Sequence, residues 1–319
     1  MPIVASRFQP PFLLCHGHLQ TIIPVLLQGK FQITYQRERL ELDDGDFIDL
    51  DWLRAGANRL AILSHGLEGS SRDGCVRGLA KLLHSVGWDV LAWNFRSCGS
   101  ELNRLARFYH SGDTGDLDAL IRFAASGYPQ IALVGVSLGG NVTLKYLGER
   151  IPHPSVIGAV AISVPIDLAA SASALDQRWS NRIYLQRFIR SLVAKIERKS
   201  LRFPGQFDLR GINMIRTLRQ FDDRYTAPLH GFRDAADYWQ HSSSLRYLKG
   251  INVPVLLLNA RDDPFLVPEC FPYSIAKEHA YLFLETPDAG GHVGFIDLAA
   301  FSWYQRRTVE FLADTPARR

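Results

Sequence analysis

Residues 131–147 constrain this chain more than any other stretch. Ile131-Ala132-Leu133-Val134 is continuous and apolar, Gly135-Val136-Ser137-Leu138-Gly139-Gly140 follows, and Asn141-Val142-Thr143-Leu144-Lys145-Tyr146-Leu147 is amphipathic. A buried strand, a tight turn and a helix in immediate succession place a serine at the crest of the turn. Glycines two residues to either side let strand and helix approach without Cβ clashes. The serine then stands at the carboxyl edge of a sheet, above a helix amino end that favours developing negative charge. G-x-S-x-G also occurs in ordinary strand–helix turns, so Ser137 counts as a nucleophile only in combination with residues elsewhere.

The rest of the chain supplies a sheet for that turn to sit on. Strand-like runs are Phe31 to Leu42, Phe47 to Arg54, Leu60 to Ser64, Asp89 to Phe95, Ile131 to Val136, Val156 to Val164, Val253 to Asn259 and Tyr281 to Glu285. The first two flank Asp43-Asp44-Gly45-Asp46 and read as a hairpin. Helical patterns fall between the others: Arg72 to Val86, Thr114 to Ala125, Gly139 to Glu149, Pro268 to Lys277 and Leu298 to Leu312. Alternating strand and helix predicts an α/β fold with a mostly parallel, eight-stranded sheet covered by helices on both faces. Residues 165–245 break the alternation, with helical patterns interrupted at Pro204-Gly205 and Ala227-Pro228. An insertion at the carboxyl edge of the sheet would form a helical cap within one domain spanning 1–319.

Bulk properties exclude several classes. The 319 residues are 47% apolar and 21% charged, with a formal net charge of +4, an ordinary globular balance and not that of a nucleic-acid binder. Cys15, Cys75, Cys98 and Cys270 form neither a zinc pattern nor a disulfide framework, and read as buried free thiols in a reducing compartment. Ile22-Ile23-Pro24-Val25-Leu26-Leu27 is too short and too interrupted for a signal or a membrane span. The expectation is a cytoplasmic protein.

Three further segments raise Ser137. His292, in Asp288-Ala289-Gly290-Gly291-His292-Val293-Gly294, follows the last strand and can swing over the serine as general base and then acid. Asp262-Asp263-Pro264 follows the preceding strand, and a carboxylate there could hold the second imidazole nitrogen. Asp263 is favoured because Pro264 fixes the turn after it, leaving Asp262 to accept turn N–H groups; Asp167 is the alternative acid. Ser64-His65-Gly66-Leu67-Glu68-Gly69-Ser70 can turn the Leu67 N–H towards the elbow, forming an oxyanion hole with the Leu138 N–H. His65 reads as loop-shaping. Asp113, Asp116 and Asp118 read as surface and helix-cap groups, and Arg96 as a tie between loops or a substrate contact.

Taken together these segments resemble the α/β-hydrolases, and within them the YheT-like subfamily, related to ABHD-type lipid hydrolases. The resemblance also rests on Gly17-His18-Leu19-Gln20-Thr21 with Pro24, Asn259-Ala260-Arg261 before the aspartates, and Phe295 after the histidine loop. It implies Ser137 as nucleophile, Asp263 as acid and His292 as base, acting on short-chain esters, acylglycerols or phospholipids without metal or organic cofactor. The family's usual Arg-Gly after the fourth strand is Arg96-Ser97 here. A thioesterase, an amidase or a non-catalytic binding protein would carry the same fold.

Arg178 to Arg202 contains eight basic side chains against Glu197 alone, interleaved with Trp179, Ile183, Tyr184, Leu185, Phe188, Ile189 and Leu192. It reads as a cap helix with a solvated basic face, the alternative being peripheral contact with an anionic membrane.

Overall fold

The computed structural model describes residues 2–26 and 31–314; Leu27, at the end of the apolar segment noted above, lies outside them. Its strands are β1 Ile3–Val4, β2 Gln36–Glu41, β3 Phe47–Leu53, β4 Arg59–Ser64, β5 Asp89–Asn94, β6 Gln130–Val136, β7 Val156–Ile162, β8 Val255–Leu258 and β9 Leu282–Glu285. They make one sheet in the order β1-β9-β8-β7-β6-β4-β5-β3-β2. Among the described residues only β2 on β3 and β3 on β5 run antiparallel, and the sheet has nine strands where eight were expected. The extra one, β1, pairs with β9 through only Ile3 and Val4, too short to show a period.

The helices are α1 Gly17–Leu26, α2 Gly74–Ser85, α3 Thr114–Ala125, α4 Leu138–Glu149, α5 Leu168–Gln177, α6 Arg182–Arg202, α7 Leu218–Phe221, α8 Ala227–Leu229, α9 Ala235–Ser242, α10 Tyr273–Glu278 and α11 Trp303–Asp314. Successive residues of the inner strands feed opposite cores. Leu60, Ile62, Ile131 and Leu133 join one apolar cluster, while Ala61, Leu63, Ala132 and Val134 join the other. Burial on both faces is why these strands are continuous apolar runs rather than alternating ones.

Several boundaries moved for local reasons. Residues 31–35 stay out of the sheet; Phe31 stacks on Phe301 at 5.3 Å and the Tyr35 hydroxyl donates to the Ser71 carbonyl. Pro272 splits the expected 268–277 helix into a 3-10 turn Pro268–Cys270 and α10, since proline disfavours helical geometry in the residue before it. α11 starts at Trp303, not Leu298, because the Gln305 side chain accepts the Ser302 N–H at 3.1 Å, half of a capping box. Pro24 sits inside α1, where the sequence suggested only an interruption. Ala227-Pro228 is not a break either. α7 runs into α8 through a π turn, Asp222–Thr226, in which the Ala227 N–H reaches back to the Asp222 carbonyl.

The edge strand β2 is tied down by charge. Arg37 lies opposite Asp51 and Arg39 opposite Asp49 in the ladder, each pair closing at 2.8 Å or less. A charged edge resists pairing with other strands. Arg96 is the larger knot. It is 3% exposed, holds Asp116 through two bonds of 2.6 and 2.7 Å, and reaches Asp44 and Asp46 of the hairpin turn. Asp116 is therefore buried with a cation and is not a surface cap, and Asp113 is nearly as enclosed. After Arg96, Ser97 adopts φ +64°, the left-handed geometry that glycine takes freely, and its hydroxyl bonds Asn103.

Two further expectations need correction. Of the four free cysteines only Cys270 is buried, and Cys15 is exposed. The basic run is less basic outside than its sequence suggests, because Lys195 and Lys199 on α6 turn inwards. Lys199 donates to the Leu105 carbonyl at 2.7 Å, and burial pulls its ammonium down to about 7. No described helix is long and apolar enough to cross a membrane.

Arg96→Met leaves Asp46 and Asp116 buried without their counter-charge. The variant should lose about 3–5 kcal/mol in urea denaturation; a loss below ~1 kcal/mol would show that the knot is dispensable.

Candidate active site

Parallel strands end at one edge, and the order of the sheet brings four of those ends together. β4 and β6 are neighbours, with Ser64 paired to Gly135, so the loops after them touch. A Cβ on Gly66 would lie 3.4 Å from the Ser137 Cβ. β8 and β9 pair two and three places along, and their loops carry Asp263 and His292.

Ser137 holds φ +53° and ψ −118° between β6 and α4, a conformation costly for any residue with a side chain. The turn is fixed by the Ser137 N–H donating to the Ile162 carbonyl at 2.8 Å. It is tight enough to require both glycines. A Cβ on Gly135 would sit 2.4 Å from the Gly139 carbonyl oxygen, and one on Gly139 would sit 2.4 Å from that of Ser64.

The structure places Ser137, His292 and Asp263 in one chain of hydrogen bonds. His292 Nε2 lies 2.9 Å from Ser137 Oγ, and His292 Nδ1 lies 2.8 Å from Asp263 Oδ2. The carboxylate can only accept, so Nδ1 carries the proton and Nε2 is left to accept from the serine hydroxyl. Asp263 Oδ1 accepts the Phe265 N–H at 2.9 Å, and the Phe265 ring covers the imidazole at 4.2 Å between centroids. Asp262 points elsewhere: its Oδ1 accepts the Gly291 N–H at 2.8 Å and so holds the histidine loop. Asp167 caps α5 through the Ala170 N–H.

Leu67 and Leu138 border the same cavity as Ser137. Among the described residues neither N–H is paired with a protein acceptor. Leu138 opens α4, where no carbonyl a turn earlier exists within the helix. His65 is fully buried and shapes this loop. Its Nδ1 bonds the Gly66 carbonyl at 2.8 Å and its Nε2 accepts the Phe95 N–H at 3.1 Å. Burial pulls the ring down to about 4, so it stays neutral.

Two supports went unread in the sequence. The first is α1, which clamps the histidine loop. Thr21 Oγ1 accepts the His292 N–H at 2.9 Å, and Gln20 Oε1 accepts the Ile296 N–H at 2.6 Å. Val293 and Phe295 hold φ +62° and +43° in that loop, which needs such a clamp. Gly17-His18-Leu19-Gln20-Thr21 was the available signal, but it carried no hint of its target. The second is a buried ion pair joining α6 to the Leu67 loop. Lys195 Nζ meets Glu68 Oε1 at 2.5 Å, and both side chains are under 10% exposed. The Ser191 hydroxyl donates to Glu68 Oε2 at 2.6 Å, and the Tyr109 hydroxyl accepts the Glu68 N–H while donating to its carboxylate. Glu68 itself sits at φ +54°.

Comparison with known proteins agrees with this architecture. Residues 62–298 match the family model described as alpha/beta hydrolase fold. The chain is 36% identical to the putative esterase YheT of Escherichia coli, over 97% of this chain and 93% of that protein. It is 27% identical to the phospholipase ABHD3 of Mus musculus, over 93% of this chain and 75% of that protein. An esterase structure from Pyrococcus furiosus superposes with a TM-score of 0.59 at 21% identity, covering 89% of this chain and 91% of that one.

Lys195→Met strands the Glu68 carboxylate without its cation and should cost about 3–5 kcal/mol in urea denaturation. Adding Glu68→Gln should return a large part of that loss. Equal stability of the single variant and wild type would mean that the pair carries no weight.

Proposed function

The chain belongs to the alpha/beta hydrolase fold family, in the group of the putative esterase YheT, and on that premise we propose that it hydrolyses carboxylic esters through an acyl-enzyme on Ser137. The observation that carries this reading is the pair of hydrogen bonds, 2.9 and 2.8 Å, running from Ser137 through His292 to Asp263. Ser137 Oγ attacks the ester carbonyl carbon as its proton passes to His292 Nε2. The carbonyl oxygen becomes an oxyanion and accepts the N–H groups of Leu67 and Leu138. Collapse breaks the carbon–oxygen bond, and the imidazolium protonates the departing alkoxide. Water then gives a proton to His292 and its oxygen to the acyl carbon. The acid leaves and Ser137 regains its proton. Asp263 orients the ring and stabilises the imidazolium.

The substrates are short-chain esters, acylglycerols or phospholipids. Support comes from the cavity wall, where Leu168, Ala172, Leu175, Phe188, Leu192 and Leu218 surround the approach to Ser137. All six belong to residues 165–245, which we read as a helical cap enclosing an acyl chain. The names of the two relatives, esterase and phospholipase, point the same way.

On 4-nitrophenyl butanoate, Ser137→Ala should lose at least about 10³-fold in kcat, and Asp263→Asn about 10²–10⁴-fold, both with folding intact by circular dichroism. Turnover by Ser137→Ala at the wild-type rate rules the reading out.

A further inference from the structure

The cavity above Ser137 is not apolar throughout. Asp222 lines it together with His110, Ser111, Thr226, Tyr238 and Trp239. These residues form one connected wall. The Tyr238 hydroxyl accepts the Ser111 N–H at 2.9 Å, the Trp239 indole N–H donates to Asp222 Oδ2 at 2.8 Å, and the rings of His110 and Tyr238 are 5.8 Å apart. The wall is fixed to the helix that Ser137 opens, because Asn141 Nδ2 donates to the carbonyls of both Ser111 and Ser242 at 2.8 Å.

Asp222 is out of place in such surroundings. No cation is ion-paired with it among the described residues. Burial pushes its carboxyl up to about 7 although the Thr226 hydroxyl and the Trp239 indole both donate to it, and Asp176 and Asp223 lie close enough to oppose its charge. Its position follows from the π turn Asp222–Thr226, a helical defect of the kind found at functional sites. A carboxyl group facing an otherwise greasy pocket selects a donor among the ligands that reach it. His110 complements it. Its Nδ1 accepts the Gly112 N–H at 3.2 Å, which leaves Nε2 as the protonated, donating nitrogen. One acceptor and one donor on the same wall suit a hydroxyl, which can serve both. An ammonium would lose its hydration against Leu168, Leu175 and Leu218, and a carboxylate would meet Asp222 as a like charge.

We propose that this wall is a specificity subsite for a hydroxyl group on the acyl chain, so that the preferred substrates are esters of hydroxylated rather than plain fatty acids. The subsite rests on the reading of Ser137 as the acylated residue. Its Asp222 is a specificity residue: it contacts the chain, not the reacting carbonyl.

The test compares ethyl esters of four-, six- and eight-carbon acids with their ω-hydroxy and ω-amino counterparts. Assayed above about pH 8, where Asp222 is ionised, wild type should favour the hydroxy ester at one chain length by about tenfold or more in kcat/KM, the amount expected of one hydrogen bond to a charged group. Asp222→Leu should abolish that preference and raise turnover of the plain ester. Asp222→Asn, which keeps the shape and the Trp239 bond, should retain part of the preference. Plain esters cleaved in a Ser137-dependent way without any hydroxyl preference overturn the subsite and leave the ester-hydrolase reading standing. A preference for the amino ester, or one that survives Asp222→Leu, also overturns it. No turnover of any ester overturns both.

Discussion

An L-residue held at φ +53° at the end of a central strand is the constraint on which the rest of this structure depends. The conformation costs roughly 1–3 kcal/mol on its own. It persists because β6 is clasped between β4 and β7 and buried on both faces, and because the Ser137 N–H and carbonyl are both bonded. The glycines around it follow from the same tightness. So does the start of α4 directly after the serine, where the Leu138 N–H has no carbonyl a turn earlier within the helix. A looser turn would move the hydroxyl away and leave His292 Nε2 without its 2.9 Å partner.

Strain recurs where the other loops approach. Val293 and Phe295 follow His292 with positive φ, and Glu68 follows Leu67 in the same way. Each is locked by a long-range partner: α1 holds the histidine loop through Thr21 and Gln20, and α6 holds Glu68 through Lys195. The second lock links α6 to the loop that carries Leu67. Displacement of α6 would therefore disturb that loop as well as open the pocket.

Much of this was legible in the residues, for physical reasons that also mark the limit. Ser137, Asp263 and His292 announce themselves because each follows a strand with its own glycine or proline turn, and the order of those turns is local information. Runs such as Ile131 to Val136 read as strands because burial on both faces leaves no polar positions. β1 did not, since two residues have no period, and α1 was hidden by Pro24. The inward turn of Lys195 and Lys199 was hidden by the usual solvation of lysine, and the burial of Asp116 depended on Arg96, twenty residues earlier in the chain. The polar wall around Asp222 was the least legible. It joins segments near 110, 222 and 238, and its key position comes from a π turn with no sequence signature.

We take Ser137 to be a nucleophile activated by His292. Incubation with a fluorophosphonate followed by peptide mapping tests this most directly. One equivalent of label is expected, carried by the peptide containing Ser137, with labelling slowed by at least about 10³-fold in His292→Ala. Label on a different residue, or labelling of Ser137 at an unchanged rate without His292, would contradict it.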